Sequence, residues 1–290
     1  MKILITGGSG FLGKRAAMHF AALGHQVLVP SHSQLDITDP DGVEHWFREN
    51  RPQAVLHCAA VSDTAACQKD PEGSALVNVQ GSLNLAAACH SIGAKFVFCS
   101  SDQVYANSEL PGPHKETELL QPKTVYGQQK LLAEQLCQQK CRDTVSLRLT
   151  WMYGDQRLPG EHGHLLSTLR AAIQDPKMPF SFPIYDKRGI TNVQAVVQNL
   201  PLALDFPPGV YNFGAENDRS TYHTIHAALE ASNLKEPLAR LYINSAAFAE
   251  NPRDIRMDTG LACSLGACFD TTLLGLCRAV SVTVDQSTGG

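Results

Sequence analysis

The sequence predicts an α/β protein with a doubly wound parallel sheet and a smaller C-terminal lobe. Short apolar runs alternate with amphipathic stretches through the first half, and the first run ends in a glycine-rich turn that opens a helix. The runs Lys2 to Thr6, Gln26 to Pro30, Ala54 to Cys58, Lys95 to Ser100 and Val145 to Leu149 are rich in Val, Ile, Leu or Phe. They are short enough to be strands buried on both faces. Between them the periodicity predicts helices over Phe11 to Leu23, Pro40 to Asn50, Pro71 to Ser91 and Thr124 to Lys140. Asp39-Pro40 and Asp70-Pro71 place a capping carboxylate before a proline at the first helical position, and Gly24 and Gly93 follow helix ends.

Beyond Trp151 the rhythm loosens, with helices expected over Leu165 to Gln174, Val193 to Leu204, Tyr222 to Ala231 and Thr271 to Ala279. Val210 to Gly214 is apolar enough to be a strand that returns to the main sheet. The expected division is a dinucleotide-binding domain over 1–152 with a return segment over about 188–214, and a substrate lobe over 153–187 and 215–290. The last residues, Asp285 to Gly290, are polar and small, as in a frayed end.

Composition narrows the function. The 290 residues are 43% hydrophobic and 18% charged, which is too apolar for disorder, and no apolar run approaches a bilayer span. A net charge of −4 with scattered Lys and Arg disfavours nucleic acid and anionic membranes as partners. The nine cysteines form no Cys-x-x-Cys pair and read as reduced thiols of a cytoplasmic protein. A small-molecule substrate is the expected partner, and a homodimer is left open.

Gly8-Ser9-Gly10-Phe11-Leu12-Gly13 fits Gly-x-Gly-x-x-Gly, with Gly7, Gly10 and Gly13 also spaced by three. Bare backbone there allows a tight turn and close approach of a pyrophosphate, whose charge meets N–H groups and the positive end of a helix dipole. The expectation is a Rossmann, NAD(P)-binding fold. An NAD-preferring site usually places an acid at the end of the second strand, where this chain reads Pro30-Ser31-His32-Ser33. A 2′-phosphate meets no repulsion there, and Ser31 or His32 offers donors, so the balance between NADP and NAD leans to NADP. Asp36 and Ile37 are placed to hold the adenine amino group and ring, against the plainer reading of Asp36 as a turn residue.

Tyr126-Gly127-Gln128-Gln129-Lys130 sets a phenol and an ammonium four residues apart on one helix face. Lys130 is expected to lower the Tyr126 pKa and hold the nicotinamide ribose, so that Tyr126 acts as acid or base. Ser101 and Asp102 close the fourth strand at the carboxyl edge, where open α/β sheets bind ligands. There Ser101 would orient a reacting oxygen, and Asp102 would assist substrate binding or proton delivery.

His162-x-His164 and His223-x-x-His226 lack companion ligands at familiar spacing, so no metal is expected. Cys137, Cys141, Cys263 and Cys268 read as semi-buried helix positions, Trp46 as a core residue, and Trp151 as facing ligand.

Five elements together resemble the extended short-chain dehydrogenase/reductase family: Thr6 to Gly13, Cys58-Ala59-Ala60, Val77 to Gly81, Cys99 to Asp102 and Tyr126 to Lys130. Ser101-Asp102-Gln103-Val104-Tyr105, Leu147 to Gly154 and Asn251 to Asp258 are similar to its dTDP-4-dehydrorhamnose reductase branch. The resemblance implies a catalytic set of Ser101, Tyr126 and Lys130, with Asp102 and Trp151 near a nucleotide sugar. It implies a cofactor along Gly7, Gly10, Phe11, Leu12, Asp36, Ile37, Ala59, Ala60, Ser62 and Asn78, to which the glycine pattern adds Gly13. The chain departs from the branch at Cys58 (usually Asn), Ser101 (usually Thr) and Gly189-Ile190-Thr191-Asn192, where a Pro-Thr pair is usual. The implied activity is NAD(P)H-dependent reduction of a nucleotide-linked 4-keto sugar. The alternatives are an epimerase or dehydratase with bound NAD, or a non-catalytic NADP-binding subunit similar to the methionine adenosyltransferase β subunit.

Overall fold

A computed structural model describes residues 1–155 and 165–288. Its first half runs β1 (Lys2–Thr6), α1 (Phe11–Ala22), β2 (Gln26–Leu28), α2 (Pro40–Asn50), β3 (Ala54–His57), α3 (Thr64–Lys69) and α4 (Pro71–Ala75). A π-helical turn (Leu76–Gly81), α5 (Ser82–Ile92), β4 (Lys95–Ser101), a 3-10 turn (Asp102–Tyr105), α6 (Val125–Lys140) and β5 (Thr144–Leu149) follow. The rest comprises β6 (Trp151–Tyr153), α7 (Leu165–Gln174), β7 (Phe180–Pro183), β8 (Asp186–Lys187), β9 (Ile190–Asn192), α8 (Val193–Ala203) and β10 (Gly209–Phe213). It ends with α9 (Thr221–Ala231), α10 (Lys235–Ala239), β11 (Leu241–Asn244), β12 (Arg253–Asp254), α11 (Gly260–Ser264) and α12 (Thr272–Thr288).

Six strands pair in parallel in the order β10-β5-β4-β3-β1-β2. The strand periodicity of two shows in the core. Ile3, Ile5, Leu56, Val97 and Leu147 pack on one face with α1 and α8. Leu4, Val55, Phe96 and Phe98 pack on the other with residues of α2, α5 and α6. Covering both faces with helices is what makes the sheet doubly wound. A separate cluster, including Tyr153, Leu169, Phe180, Ile225 and Leu276, holds the C-terminal elements together. The expected return strand is β10, whose Tyr211 lies opposite Leu147 of β5.

The helix predicted over Pro71 to Ser91 is present without interruption as α4, the π-helical turn and α5, and α3 precedes it. Two expectations are corrected. The last helix extends past the expected Ala279, to Thr288. Cys263 and Cys268 are exposed, whereas Cys137 and Cys141 are fully buried, and all nine cysteines are free thiols.

Candidate functional site

The order of strands reverses between β1 and β3, and this switch point opens at the carboxyl edge of the sheet, where ligands of such folds bind. Gly7 follows β1 with φ +66°, and a Cβ on it would lie 2.7 Å from the Ala59 backbone nitrogen. Only glycine lets the two loops meet. A Cβ on Gly13 would run into the Gly7 carbonyl oxygen, so α1 leaves the turn with its backbone bare. Gly10 caps α1 without a side chain, and the first turn contains no acidic residue. Phe11 and Leu12 open the helix there, Phe11 half-buried and Leu12 buried. Bare backbone at a helix N-terminus with no competing carboxylate suits a diphosphate.

The loops flanking this turn are held from below. His57 ends β3 fully buried, its Nδ1 2.7 Å from Thr6 Oγ1 and its Nε2 2.9 Å from Ser82 Oγ. Burial and the Lys130 charge push its pKa down to about 3, so the ring is neutral. Asn78 lies in the π-helical turn with no exposure. Its Oδ1 accepts from the Val61 N–H at 2.8 Å, and its Nδ2 donates to the Val61 carbonyl at 3.0 Å and to Gln129 Oε1 at 2.8 Å. Asn78 therefore ties the loop after β3 to α6 and presents no open amide to a ligand. Ile37 is also internal: it belongs to the core, its carbonyl accepts from Asn84 Nδ2 at 2.9 Å, and a Cβ on Gly81 would come within 2.8 Å of it. Ala59 and Ala60 are half-buried on the loop after β3, and Ser62 is exposed.

Beyond β2, Ser31 is exposed and donates to Gln34 Oε1 at 3.0 Å. Asp36 Oδ1 accepts from the Thr38 N–H at 2.9 Å and its hydroxyl at 2.7 Å, which lowers the carboxyl pKa. This is the turn-residue reading of Asp36 in geometric form.

Tyr126 and Lys130 sit in the first two turns of α6, which Thr124 caps by accepting from the Gly127 N–H at 3.2 Å. Gly127 is needed because a Cβ would lie 2.5 Å from the Gln103 carbonyl oxygen; its absence lets α6 press on the 3-10 turn. Tyr126 is consequently buried, with Ser101 and Asp102 among the groups that face its hydroxyl. Lys130 Nζ donates to the Cys99 carbonyl at 2.9 Å and lies 5.8 Å from the Tyr126 ring centroid. Burial raises the phenol pKa, the Asp102 charge raises it further, and the nearby Ser101 hydroxyl opposes both. The expectation that Lys130 makes Tyr126 acidic is therefore corrected for this state: the phenol is protonated. Burial likewise lowers the Lys130 pKa.

Asp102 is buried, and Arg188 Nη2 lies 2.6 Å from its Oδ2. Burial raises its pKa while Arg188 and Arg253 pull it back. The Arg188 guanidinium carbon stands 5.4 Å from the centroid of the half-buried Trp151 ring. Arg253 pairs with Asp186 at 2.8 Å and reaches Gln103 Oε1 at 3.5 Å. Sequence reasoning missed Arg188 and Arg253; both reach the site from more than eighty residues away in sequence, beyond any local spacing signal.

The structure thus gathers Ser101, Asp102, Tyr126, Lys130 and Trp151 on one side of the switch point and the glycine turn on the other. A cavity of about 300 Å³ elsewhere is lined by Tyr153, Thr191, Asn192, Gln198, Asp270 and Arg278 among others, and contains none of the predicted site residues. No three His, Cys, Asp or Glu side chains gather as metal ligands among the described residues, and His162 and His164 lie outside them. No described helix is long and apolar enough to cross a membrane.

Fold and site together define a Rossmann-like protein of the extended short-chain dehydrogenase/reductase type. The chain belongs to the RmlD substrate binding domain family, whose model matches residues 1–260. It is 28% identical over 239 residues to the spore coat polysaccharide biosynthesis protein SpsK of Bacillus subtilis, covering 81% of this chain and 80% of that one. It is 32% identical over 169 residues to dTDP-4-dehydrorhamnose reductase of Mycolicibacterium smegmatis, covering 58% of this chain and 50% of the relative. Methionine adenosyltransferase 2 subunit beta of Rattus norvegicus is 24% identical over 279 residues, covering 91% of this chain and 82% of its own. The crystal structure of dTDP-4-dehydrorhamnose reductase from Bacillus anthracis in complex with NADP superposes with a TM-score of 0.82 at 21% identity, covering 96% and 97% of the two chains.

Proposed function

We propose that the chain is an NAD(P)H-dependent oxidoreductase that reduces the keto carbon of a nucleotide-linked 4-keto sugar. The observation that carries this reading is the buried Tyr126, one helical turn from Lys130, on the helix that packs beside Ser101 at the carboxyl end of β4. The dTDP-4-dehydrorhamnose reductase relative supports the reaction class, and the NADP complex of the structural neighbour supports the cofactor.

The residues present suit a dinucleotide. Gly7, Gly10, Phe11, Leu12 and Gly13 would hold the pyrophosphate on bare backbone, with Ala59, Ala60 and Ser62 along the facing loop. Ser31 would meet the adenosine ribose, Asp36 would lie beside the adenine, and Ile37 and Asn78 would shape the pocket from inside. Tyr126 and Lys130 would flank the nicotinamide end. The cofactor, when bound, supplies the hydride. Tyr126 gives its phenolic proton to the substrate oxygen, and Ser101 orients that oxygen by hydrogen bonding. The Lys130 charge stabilises the phenolate left behind. Asp102 and Trp151 border the substrate, residues 1–152 with the return segment hold the cofactor, and the remainder shapes the substrate pocket. The free thiols agree with a cytoplasmic site of action.

A second reading, a cofactor-binding regulatory subunit, is favoured by the match to methionine adenosyltransferase 2 subunit beta along 91% of this chain. Mixing the protein with NADPH and dTDP-4-keto sugars separates the two. Oxidation of NADPH that disappears in Tyr126→Phe supports the reductase. Tight NADP binding without turnover overturns it in favour of the regulatory subunit, and turnover without net cofactor consumption indicates an epimerase.

A further inference from the structure

Cys58, the residue after β3, and Cys99 of β4 bring their sulfurs to 3.6 Å. The register explains the meeting, because His57 lies opposite Phe98 and the two cysteines come next along adjacent strands. One S–H lies between the two sulfurs, and that hydrogen bond, together with burial, pushes the Cys58 thiol well above its ordinary range. Cys99 is buried, and its carbonyl accepts from Lys130 Nζ at 2.9 Å. Cys58 is half-buried, and a Cβ on Gly7 would lie 2.8 Å from its carbonyl carbon. The thiol pair therefore sits beneath the backbone on which the glycine turn rests.

A disulfide needs its sulfurs at about 2.05 Å and forms by attack of a thiolate. These sulfurs are further apart, and Cys58 is protonated. A soft atom bonded to both sulfurs at about 2.3 Å, with an angle of about 100–110° between the bonds, spans about 3.5–3.8 Å. The observed separation of 3.6 Å matches that bite. Zinc would need two further ligands, and no third His, Cys, Asp or Glu joins the pair among the described residues. Trivalent arsenic needs two sulfurs and carries its own third substituent. We propose that Cys58 and Cys99 form a two-thiol capture site for trivalent arsenicals at the floor of the cofactor cleft. With an organoarsenic oxide, the bonds from arsenic to oxygen break and two As–S bonds form. The two thiol protons leave on the oxygen as water, and no atom changes oxidation state. Protonated thiols are thus the reactants that the step consumes. Cys58 is the more exposed of the two, so the third substituent projects past it towards Ala59 and Ala60 and blocks the approach of a dinucleotide. That blockade rests on the cofactor site proposed above; the capture itself does not.

The test uses phenylarsine oxide on the full chain in a Cys263→Ser/Cys268→Ser background, which removes the two exposed thiols. Native intact mass should show one phenylarsenic adduct, released by 2,3-dimercaptopropanol and retained in an equal concentration of a monothiol. Cys58→Asn and Cys99→Ser should each weaken capture at least about hundredfold, because a single thiol loses the advantage of two on one scaffold. Cys137→Ala, which breaks up the buried thiols of α6, should leave capture unchanged. NADPH should protect the pair, and the captured protein should lose NADPH binding in fluorescence titration while Cys58→Asn, treated alike, keeps its affinity. Absence of an adduct, or an adduct that forms as tightly in both Cys58→Asn and Cys99→Ser, overturns the inference. An adduct that depends on both cysteines and leaves NADPH binding intact upholds the capture site and counts against the placement of the cofactor alone.

Discussion

Arg148 of β5 grips Glu134 of α6 inside the protein, with Nη2 2.8 Å from Oε2 and Nε 3.1 Å from Oε1. Glu134 is one helical turn beyond Lys130, and Ser100 donates to it as well. Arg148 Nη1 also donates to the Tyr105 hydroxyl at 2.8 Å, which donates to Asn212 Oδ1 of β10 at 2.8 Å. The network ties α6 to three strands and to the 3-10 turn, and so sets the height of Tyr126 and Lys130 above the sheet. Removing one partner leaves a buried charge uncompensated, at a cost of about 3–5 kcal/mol. Glu134→Leu and Arg148→Met should each lower the urea midpoint accordingly, and the double variant should lose less than the two together. Additive losses would show that the pair is not coupled.

His57 makes stability depend on pH. Its folded pKa is pushed down to about 3 against an ordinary 6.5. Below pH 6.5 the unfolded chain binds a proton that the folded chain refuses. The stability is therefore fully present above about pH 6.5 and is lost as pH falls towards 3, at about 1.4 kcal/mol per pH unit. Urea unfolding at pH 6.5 and 4.5 should show wild type losing about 2–3 kcal/mol more than His57→Asn over that interval. Equal slopes would mean the ring is protonated in the folded state.

Two glycines separate backbone strain from ligand binding. Gly13→Ala drives a methyl into the Gly7 carbonyl and distorts the diphosphate cradle. Gly24→Ala, at φ +81° with open space around its Cβ position, strains only the end of α1. Both should cost about 1 kcal/mol or more of stability. Only Gly13→Ala should also weaken NADPH binding by at least about tenfold in fluorescence titration, because the backbone no longer fits the pyrophosphate. Equal NADPH affinities for the two variants would move the cofactor away from this turn.

The difference between what was legible in the sequence and what was not follows from the range of the interactions. Gly7 to Gly13 and Tyr126 to Lys130 are local patterns whose geometry is set within one turn, and the structure places them on opposite sides of the switch point. The sheet strands were legible as short runs rich in Val, Ile, Leu and Phe, which the central strands bury on both faces. Ile37 and Asn78 lie where chain position suggests a ligand, yet their side chains are internal, since Gly81 and Gln129 approach them from distant segments. Arg188 has no local signature, and the Asn251 to Asp258 stretch that contains Arg253 does not show its partners, because Asp102, Gln103 and Asp186 meet these arginines only after the C-terminal elements pack against the 3-10 turn. The change from α to π winding inside the predicted helix escapes periodicity for a similar reason: Asn78, in the π-helical turn, bonds Val61 across the loop.

The proposed cofactor site puts the choice between NADP and NAD at the end of β2. Val29, Pro30 and Ser31 lead out of the strand with no carboxylate, and the next acid, Asp36, has Oδ1 engaged by Thr38. A ribose 2′-phosphate beside Ser31 therefore meets hydroxyl groups and no like charge. Ser31→Asp places a carboxylate there, and two negative groups a few ångströms apart at a solvent-facing site repel by about 1 kcal/mol or more. NADPH affinity should fall at least about tenfold while NADH affinity holds or improves, because the new carboxylate accepts hydrogen bonds from a free ribose hydroxyl. Parallel titrations with the two nucleotides, read by nicotinamide fluorescence, measure the ratio. If both nucleotides weaken equally, the ribose does not lie against Ser31, and the preference is set elsewhere along the loop.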